Sequence, residues 1–284
     1  FSGGEPTLSP FFLDAVAYAK KIGFYRILAA TNGIRYAEDI EFAKAAKEAG
    51  QHGVYLQFDG TNEEDNKHRG VGNLFDVKLK AIENLAEVGI KVTLVTTIVN
   101  SWNNQGIGSI VKFAAENIDK VQTIAFQPVS FTGRDEDVSD ADRKKQRYTL
   151  AGMTHDLKDQ LGGVLEPMRD WFPLSSYSAF TSVMDMLQGA DAPWGWSSCN
   201  CHPNCGIFTL MVVNKRTNEI RSLFEFFNYE QFMQDVAKIT DTARGKKLTM
   251  AQLGMAIMRN YDASRAPEGF PISQIINLFK PSST

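Results

Sequence analysis

Apolar residues recur along the first half of the chain in two alternating patterns, short continuous runs and stretches spaced three or four apart. FYRILAATNG, VYLQFDG, KVTLVTTIVN and VQTIAFQPV are continuous runs of strand length. YAEDIEFAKAAKEAG, FDVKLKAIENLAEVG and IGSIVKFAAENI carry apolar residues at helical spacing, the first two closed by Gly50 and Gly89. Ahead of them, Ser9 as N-cap and Pro10 as first helical residue predict a helix through Phe12, Ala15, Val16 and Ala19 that stops at Gly23. Strands that are mostly apolar for their whole length suit a parallel sheet covered by helices on at least one face. Residues 1 to about 135 therefore read as repeated βα units, in a barrel or an open sheet.

The polar residues of this half fall in a telling place. Glu5, Thr31, Asn32, Gln57, Asp59, Asn100 and Gln127 all stand at or near the C-terminal end of an expected strand, the edge where parallel α/β folds hold their ligands. The charged stretch GRDEDVSDADRKK, 133 to 145, reads as a boundary. Beyond it the pattern predicts a helix around 142 to 161, the aromatic stretch DWFPLSSYSAF, a hairpin FTLMVVNKRTNEIRSLFEF turning at Lys215 to Asn218, and amphipathic helices near 229 to 239 and 249 to 259. The expected division is a first domain over 1–135, a helical and aromatic connection over 136–190 and a C-terminal domain over 191–284.

Composition adds little but excludes something. Of 284 residues 43% are hydrophobic and 22% charged, an ordinary globular balance, and the formal net charge of −3 offers no broad basic surface for nucleic acid. No apolar run is long enough to span a bilayer and no secretory signal opens the sequence, so a cytoplasmic protein is expected.

Two stretches carry candidate chemistry. At FSGGEPTLSPFF, Gly3 and Gly4 let a ligand approach the backbone without a Cβ in the way, and Glu5 sets a negative charge beside that approach. Phosphate loops offer bare amides and a lysine instead, so the carboxylate argues for a ligand with a positively charged amine. At SSCNCHPNCG, Cys199, Cys201 and Cys205 pack every thiol of the chain into seven residues, which favours metal or cluster ligation over disulfides. Three cysteines leave a four-ligand site incomplete, with His202 as one possible fourth ligand, and spacing alone leaves iron-sulfur and zinc both open.

The succession GGEPTL, TNG, QFDG, NKHRG, VTTIVN and FQPV resembles the radical S-adenosylmethionine (radical SAM) superfamily across residues 1 to about 135. The resemblance implies a partial (β/α)6 TIM-like barrel that binds S-adenosylmethionine beside a 4Fe-4S cluster held by a CxxxCxxC loop. That loop is absent here, so a first βα unit carrying it is expected upstream of Phe1, and the chain as given is expected not to cleave S-adenosylmethionine alone. By the same resemblance Gly3, Gly4 and Glu5 match the motif that binds the methionine amine, and Gln57 stands where many relatives carry a Ser that meets the ribose or carboxylate. Arg69 matches an arginine that pairs with the methionine carboxylate, Asn100 approaches the ribose, and Gln127 and Val129 pass the adenine. Thr31, Asn32 and Asp59 complete the expected cofactor-binding set.

The barrel reading also turns the cysteines toward an auxiliary 4Fe-4S cluster in a C-terminal extension with a β-hairpin and helices. The second half looks like that of the tetraether lipid synthase group, which takes hydrogen from an unactivated lipid carbon with a deoxyadenosyl radical and couples two alkyl chains. A small-molecule or lipid substrate, a reductant such as ferredoxin or flavodoxin and peripheral membrane contact follow from that likeness. Trp171, Phe172, Tyr177 and Phe180 are the expected apolar wall for an alkyl chain. The alternatives are a radical SAM maturase that modifies peptides and a zinc-binding module without enzymatic activity.

Overall fold

Four strands, β1 (Leu28–Thr31), β2 (Gly53–Gln57), β3 (Lys91–Ile98) and β4 (Val121–Pro128), pair in parallel and in sequence order in the computed structural model. The structure describes residues 1–62, 73–132, 137–188, 202, 205–242 and 244–278. The register brings Thr31 beside Leu56, Gln57 beside Val95 and Thr97 beside Gln127, with one slip between Val92 and Thr93. Phe1 extends the ladder past β1. Its nitrogen donates to the Leu28 carbonyl at 2.7 Å, and its own carbonyl accepts from the Ala30 nitrogen at 2.9 Å. An α/β fold with a parallel sheet is thus the observed class.

Helices cover one face of this sheet. They are α1 (Phe12–Lys21), α2 (Ile34–Glu38), α3 (Ile40–Ala49), α4 (Leu74–Glu87) and α5 (Ile107–Glu116). Phe12, Val16, Tyr36, Phe42, Ile82, Leu85 and Ile110 meet Ala29, Val54, Leu56, Val92 and Leu94 of the strands in one buried core. Because strand side chains alternate between faces, the residues in between, such as Tyr55 and Val95, stand on the other face.

Three boundaries differ from the sequence expectation. The first helix begins at Phe12 rather than Pro10, because Glu5 caps a separate turn over Pro6–Leu8, and Ser9 Oγ accepts only from the Phe11 nitrogen at 3.3 Å. The helix expected from 36 to 50 is broken at Asp39, whose carboxylate accepts from the Phe42 nitrogen at 3.1 Å and so starts α3 afresh. The helix expected over 142 to 161 is likewise two, α6 (Asp140–Gln146) and α7 (Leu150–Gln160), since Thr149 caps the second by accepting from the Gly152 nitrogen at 3.0 Å.

The chain divides into two compact units, Phe1–Gly163 with Val213–Glu219, and Val164–Val212 with Ile220–Thr284. This is one division where the sequence pattern suggested two, near 135 and 190. The second unit is built on α8 (Ser178–Gln188), α9 (Tyr229–Thr242), α10 (Lys246–Asn260) and α11 (Ser273–Leu278), with a core of Phe180, Val183, Phe226, Phe227, Phe232, Val236 and Ile257. Ahead of α8, β5 (Phe172–Pro173) pairs antiparallel with β6 (Ile207–Phe208). The expected hairpin is present but shorter, as β7 (Met211–Val213) and β8 (Ile220–Ser222), and its turn is closed by the Asn214 nitrogen on the Glu219 carbonyl at 2.9 Å. Asp170 is fully buried in this unit, where Arg169 grips both its oxygens at 2.8 Å and Ser222 Oγ donates at 2.7 Å. That pairing is what makes a buried carboxylate tolerable.

Candidate functional site

At the C-terminal ends of β1 to β4 the uncovered face of the sheet forms a cavity of about 560 Å³. It is lined by Gly3, Gly4, Glu5, Thr31, Asn32, Gln57 and Gln127, with Ala30, Tyr55, Val95 and Ala125 on the strands. Seven of the residues expected from sequence to bind a cofactor thus meet in one place. They converge because Phe1 runs beside β1, which delivers the GGE turn next to the end of β1 and its TNG.

Glu5 organises this corner. Its Oε1 accepts from Thr7 Oγ1 at 2.6 Å, Thr31 Oγ1 at 2.7 Å and the Thr7 nitrogen at 3.2 Å, while Oε2 accepts from the Asn32 nitrogen at 2.6 Å. A carboxylate with four donors is held in a fixed orientation. Oε1 is crowded by three of them and Oε2 takes one, so Oε2 keeps acceptor capacity for a further donor. Gly3 and Gly4 have φ of 88° and 40°, and a Cβ on either would meet nothing within 4 Å, so the turn faces open space.

The partners of Glu5 are themselves supported. Thr31 Oγ1 accepts from the Gly33 nitrogen at 3.0 Å, and Gly33 has φ of 80° with no room for a Cβ, which would sit 2.5 Å from Leu56 Cδ1. Glycine is therefore required in TNG by both backbone and packing. The Asn32 side chain turns back to accept from the Ile34 nitrogen at 2.9 Å, and its carbonyl accepts from buried Lys78. Arg35 donates to the Thr7 carbonyl and lies 3.9 Å over the Phe42 ring. Tyr36 below donates to Gln51 Oε1 at 2.8 Å, and burial raises its pKa, so it stays a neutral donor.

Gln57 reaches the cavity with one end only, since its Nε2 donates to Asp59 Oδ2 at 3.2 Å. Asp59, 3% exposed, does not line the cavity, so its place is behind Gln57. Asn100 is also outside it: Nδ2 donates to the Lys145 carbonyl at 2.9 Å and its nitrogen to the Gln146 carbonyl at 3.0 Å, which ties the end of β3 to α6. Arg69, Cys199 and Cys201 lie outside the described residues. Cys205 is exposed, and its nitrogen donates to the His202 carbonyl at 2.8 Å. Among the described residues no group of three or more His, Cys, Asp or Glu is placed to hold a metal ion.

Two features, one in the cavity and one behind Glu5, were missed by sequence reasoning. Tyr55 is 44% exposed in mid-strand between buried Val54 and Leu56 and lines the cavity; its only signal was alternation within GVYLQ. Thr7, fully buried, gives Glu5 two of its donors, and nothing in GGEPT set it apart. Of the four aromatics expected to line an alkyl chain, Phe180 is 4% exposed in the core of the second unit and the Phe172 ring centre lies 4.5 Å from Tyr229 and 4.9 Å from Phe224, while Trp171 and Tyr177 are half-buried.

Comparison with known proteins bears on this geometry. Residues 1–114 match the model of the family described as the Radical SAM superfamily. The chain is 32% identical over 283 residues to 7,8-dihydro-6-hydroxymethylpterin dimethyltransferase of Methanocaldococcus jannaschii, covering 98% of this chain and 54% of that protein. It is 38% identical over 134 residues to Fe-coproporphyrin III synthase of Methanosarcina barkeri, covering 47% of this chain and 32% of that protein. A probable GTP 3',8-cyclase of Sulfolobus acidocaldarius is 27% identical over 202 residues, 70% of this chain and 60% of that protein. The chain thus spans about half the length of the first of these relatives and less of the second.

Proposed function

With the radical SAM superfamily supported by the family model and the relatives alike, we propose that the Glu5 cavity holds S-adenosylmethionine and that the whole protein uses it to remove a hydrogen from an unactivated carbon. The residues fit the cofactor. Oε2 of Glu5 has room to accept from an ammonium, Gly3 and Gly4 leave space beside it, and Gln57 and Gln127 offer amide groups to the ribose and adenine end. The observation that carries the reading is the four-donor fixing of the Glu5 carboxylate at the mouth of this cavity. S-adenosylmethionine, when bound and reduced, supplies the radical that takes the hydrogen. The work of these residues is to bind and orient it. The described residues contain no ligand set for an iron-sulfur cluster.

The likeness along nearly the whole chain to a pterin dimethyltransferase favours a small heterocyclic substrate and methyl transfer. Coupling of lipid alkyl chains, the expectation from sequence, has less behind it, because Phe172 and Phe180 pack inside the second unit. The test is anaerobic incubation of the full-length protein with dithionite and S-adenosylmethionine, followed by chromatography. Formation of 5′-deoxyadenosine with methionine is expected; recovery of intact S-adenosylmethionine would refute the assignment. Addition of a dihydropterin or of an archaeal lipid extract then separates the two substrate readings by the mass of the product.

A further inference from the structure

We propose that a second cavity of the first unit is an anion site that takes the phosphate of a small organic phosphate. It measures about 560 Å³ and lies between Val129, Ser130 and Phe131, just past the end of β4, and α6 with the residues that follow it. Asp140, Arg143, Lys144 and Arg147 line it, and their spacing of three and four places them on one side of the helical path. Three cations therefore share this hollow with one carboxylate.

Two carboxylates nearby are taken up by neutral donors. Asp142 accepts from Ser139 Oγ at 2.6 Å, and Asp156 from Tyr148 Oη at 2.6 Å and Asn104 Nδ2 at 3.0 Å. Among the described residues Lys144 and Arg147 form no ion pair. Like charges held on one helix face repel each other, and an oxyanion between them relieves that repulsion while matching the guanidinium fork. The face is also anchored: Arg143 Nε donates to the Val138 carbonyl at 2.9 Å, and Asn100 binds the carbonyls of Lys145 and Gln146. Gln127 lines the Glu5 cavity and Val129 lines this one, so the two hollows share the end of β4.

The site stands on this geometry alone and does not depend on the radical SAM reading. Calorimetric titration of the intact protein with inorganic pyrophosphate tests it. One-to-one binding is expected, weakened by raised salt and reduced about tenfold or more in K144E/R147E, since two charge-assisted bonds to the anion are lost and replaced by repulsion. Lys44 and Lys80 are exposed cations on other helices, and K44E/K80E, with the same change of net charge, is expected to bind pyrophosphate as the parent does. Circular dichroism confirms that each variant is folded. Absence of binding, equal affinity in K144E/R147E, or an equal loss in K44E/K80E would overturn the proposal. Binding to phosphatidylglycerol vesicles without binding to pyrophosphate would overturn it in favour of a membrane surface.

Discussion

The two faces of the four-stranded sheet are made by the same strands and do different work. On the helix side β3 presents Val92, Leu94 and Ile98, all fully buried, and β2 presents Val54 and Leu56. On the other side the alternate residues Tyr55, Gln57, Val95, Ala125 and Gln127 face a cavity. If the cavity binds the cofactor as proposed, stability belongs to the first face and binding to the second, so a substitution one residue along a strand should change which property suffers. This is a direct consequence of the two-residue period of a strand.

The largest effect should come from breaking the covered face. Leu94→Ala is expected to lower stability by about 2–5 kcal/mol, whereas Val95→Ala next to it should cost less than about 1 kcal/mol, both read from chemical denaturation. Equal losses at the two positions would erase the distinction between the faces. Gln57→Ala sharpens it from the other side. It should leave the denaturation midpoint nearly unchanged but weaken S-adenosylmethionine by about 0.5–1.5 kcal/mol, the net contribution of one hydrogen bond. A shifted midpoint with unchanged affinity would put Gln57 among the structural residues.

The smallest effect lies at the far end of the sheet. His52 Nδ1 accepts from the Ile27 nitrogen at 3.2 Å, and burial first, then Lys47, Arg26, Lys20 and Lys91, lower its pKa. The unfolded chain then takes up its proton at higher pH than the folded one, so stability is full above about 6.5 and declines as pH falls below it. Thermal melts between about pH 5 and 7.5 should show this slope flattened in His52→Gln, with S-adenosylmethionine binding untouched. A slope identical in the variant would mean that His52 does not carry it.

Much of the sheet was legible from sequence because its strands are apolar runs and its helices end on glycines, as at Gly50 and Gly89. The strand ends were legible too, which is why the residues of the Glu5 cavity could be gathered before their geometry was known. What stayed hidden depends on side chains meeting across long separations. Thr7 and Thr31 become partners of Glu5 only once Phe1 lies beside β1. Asn100 lies two residues past the end of β3 rather than closing it, and α6 captures its amide. Asp39 and Thr149 divided two expected helices, and each is a cap residue whose signal lay inside a run that otherwise kept helical period. The packing of Phe172 and Phe180 stayed hidden for a simpler reason, that an aromatic run has the same appearance in a core as in a binding surface.

The central claim is that Glu5 holds the ammonium of S-adenosylmethionine, and equilibrium dialysis of S-adenosylmethionine against the full-length protein and its Glu5→Gln variant tests it most directly. The substitution swaps a charged acceptor for a neutral amide, and a charge-assisted hydrogen bond contributes about 1.5–3 kcal/mol, so affinity should fall about tenfold to a hundredfold. The variant will also melt lower, because an amide nitrogen now faces hydroxyl and backbone donors, so both proteins are compared well below their melting temperatures. Equal affinity for S-adenosylmethionine in the two folded proteins would contradict the account.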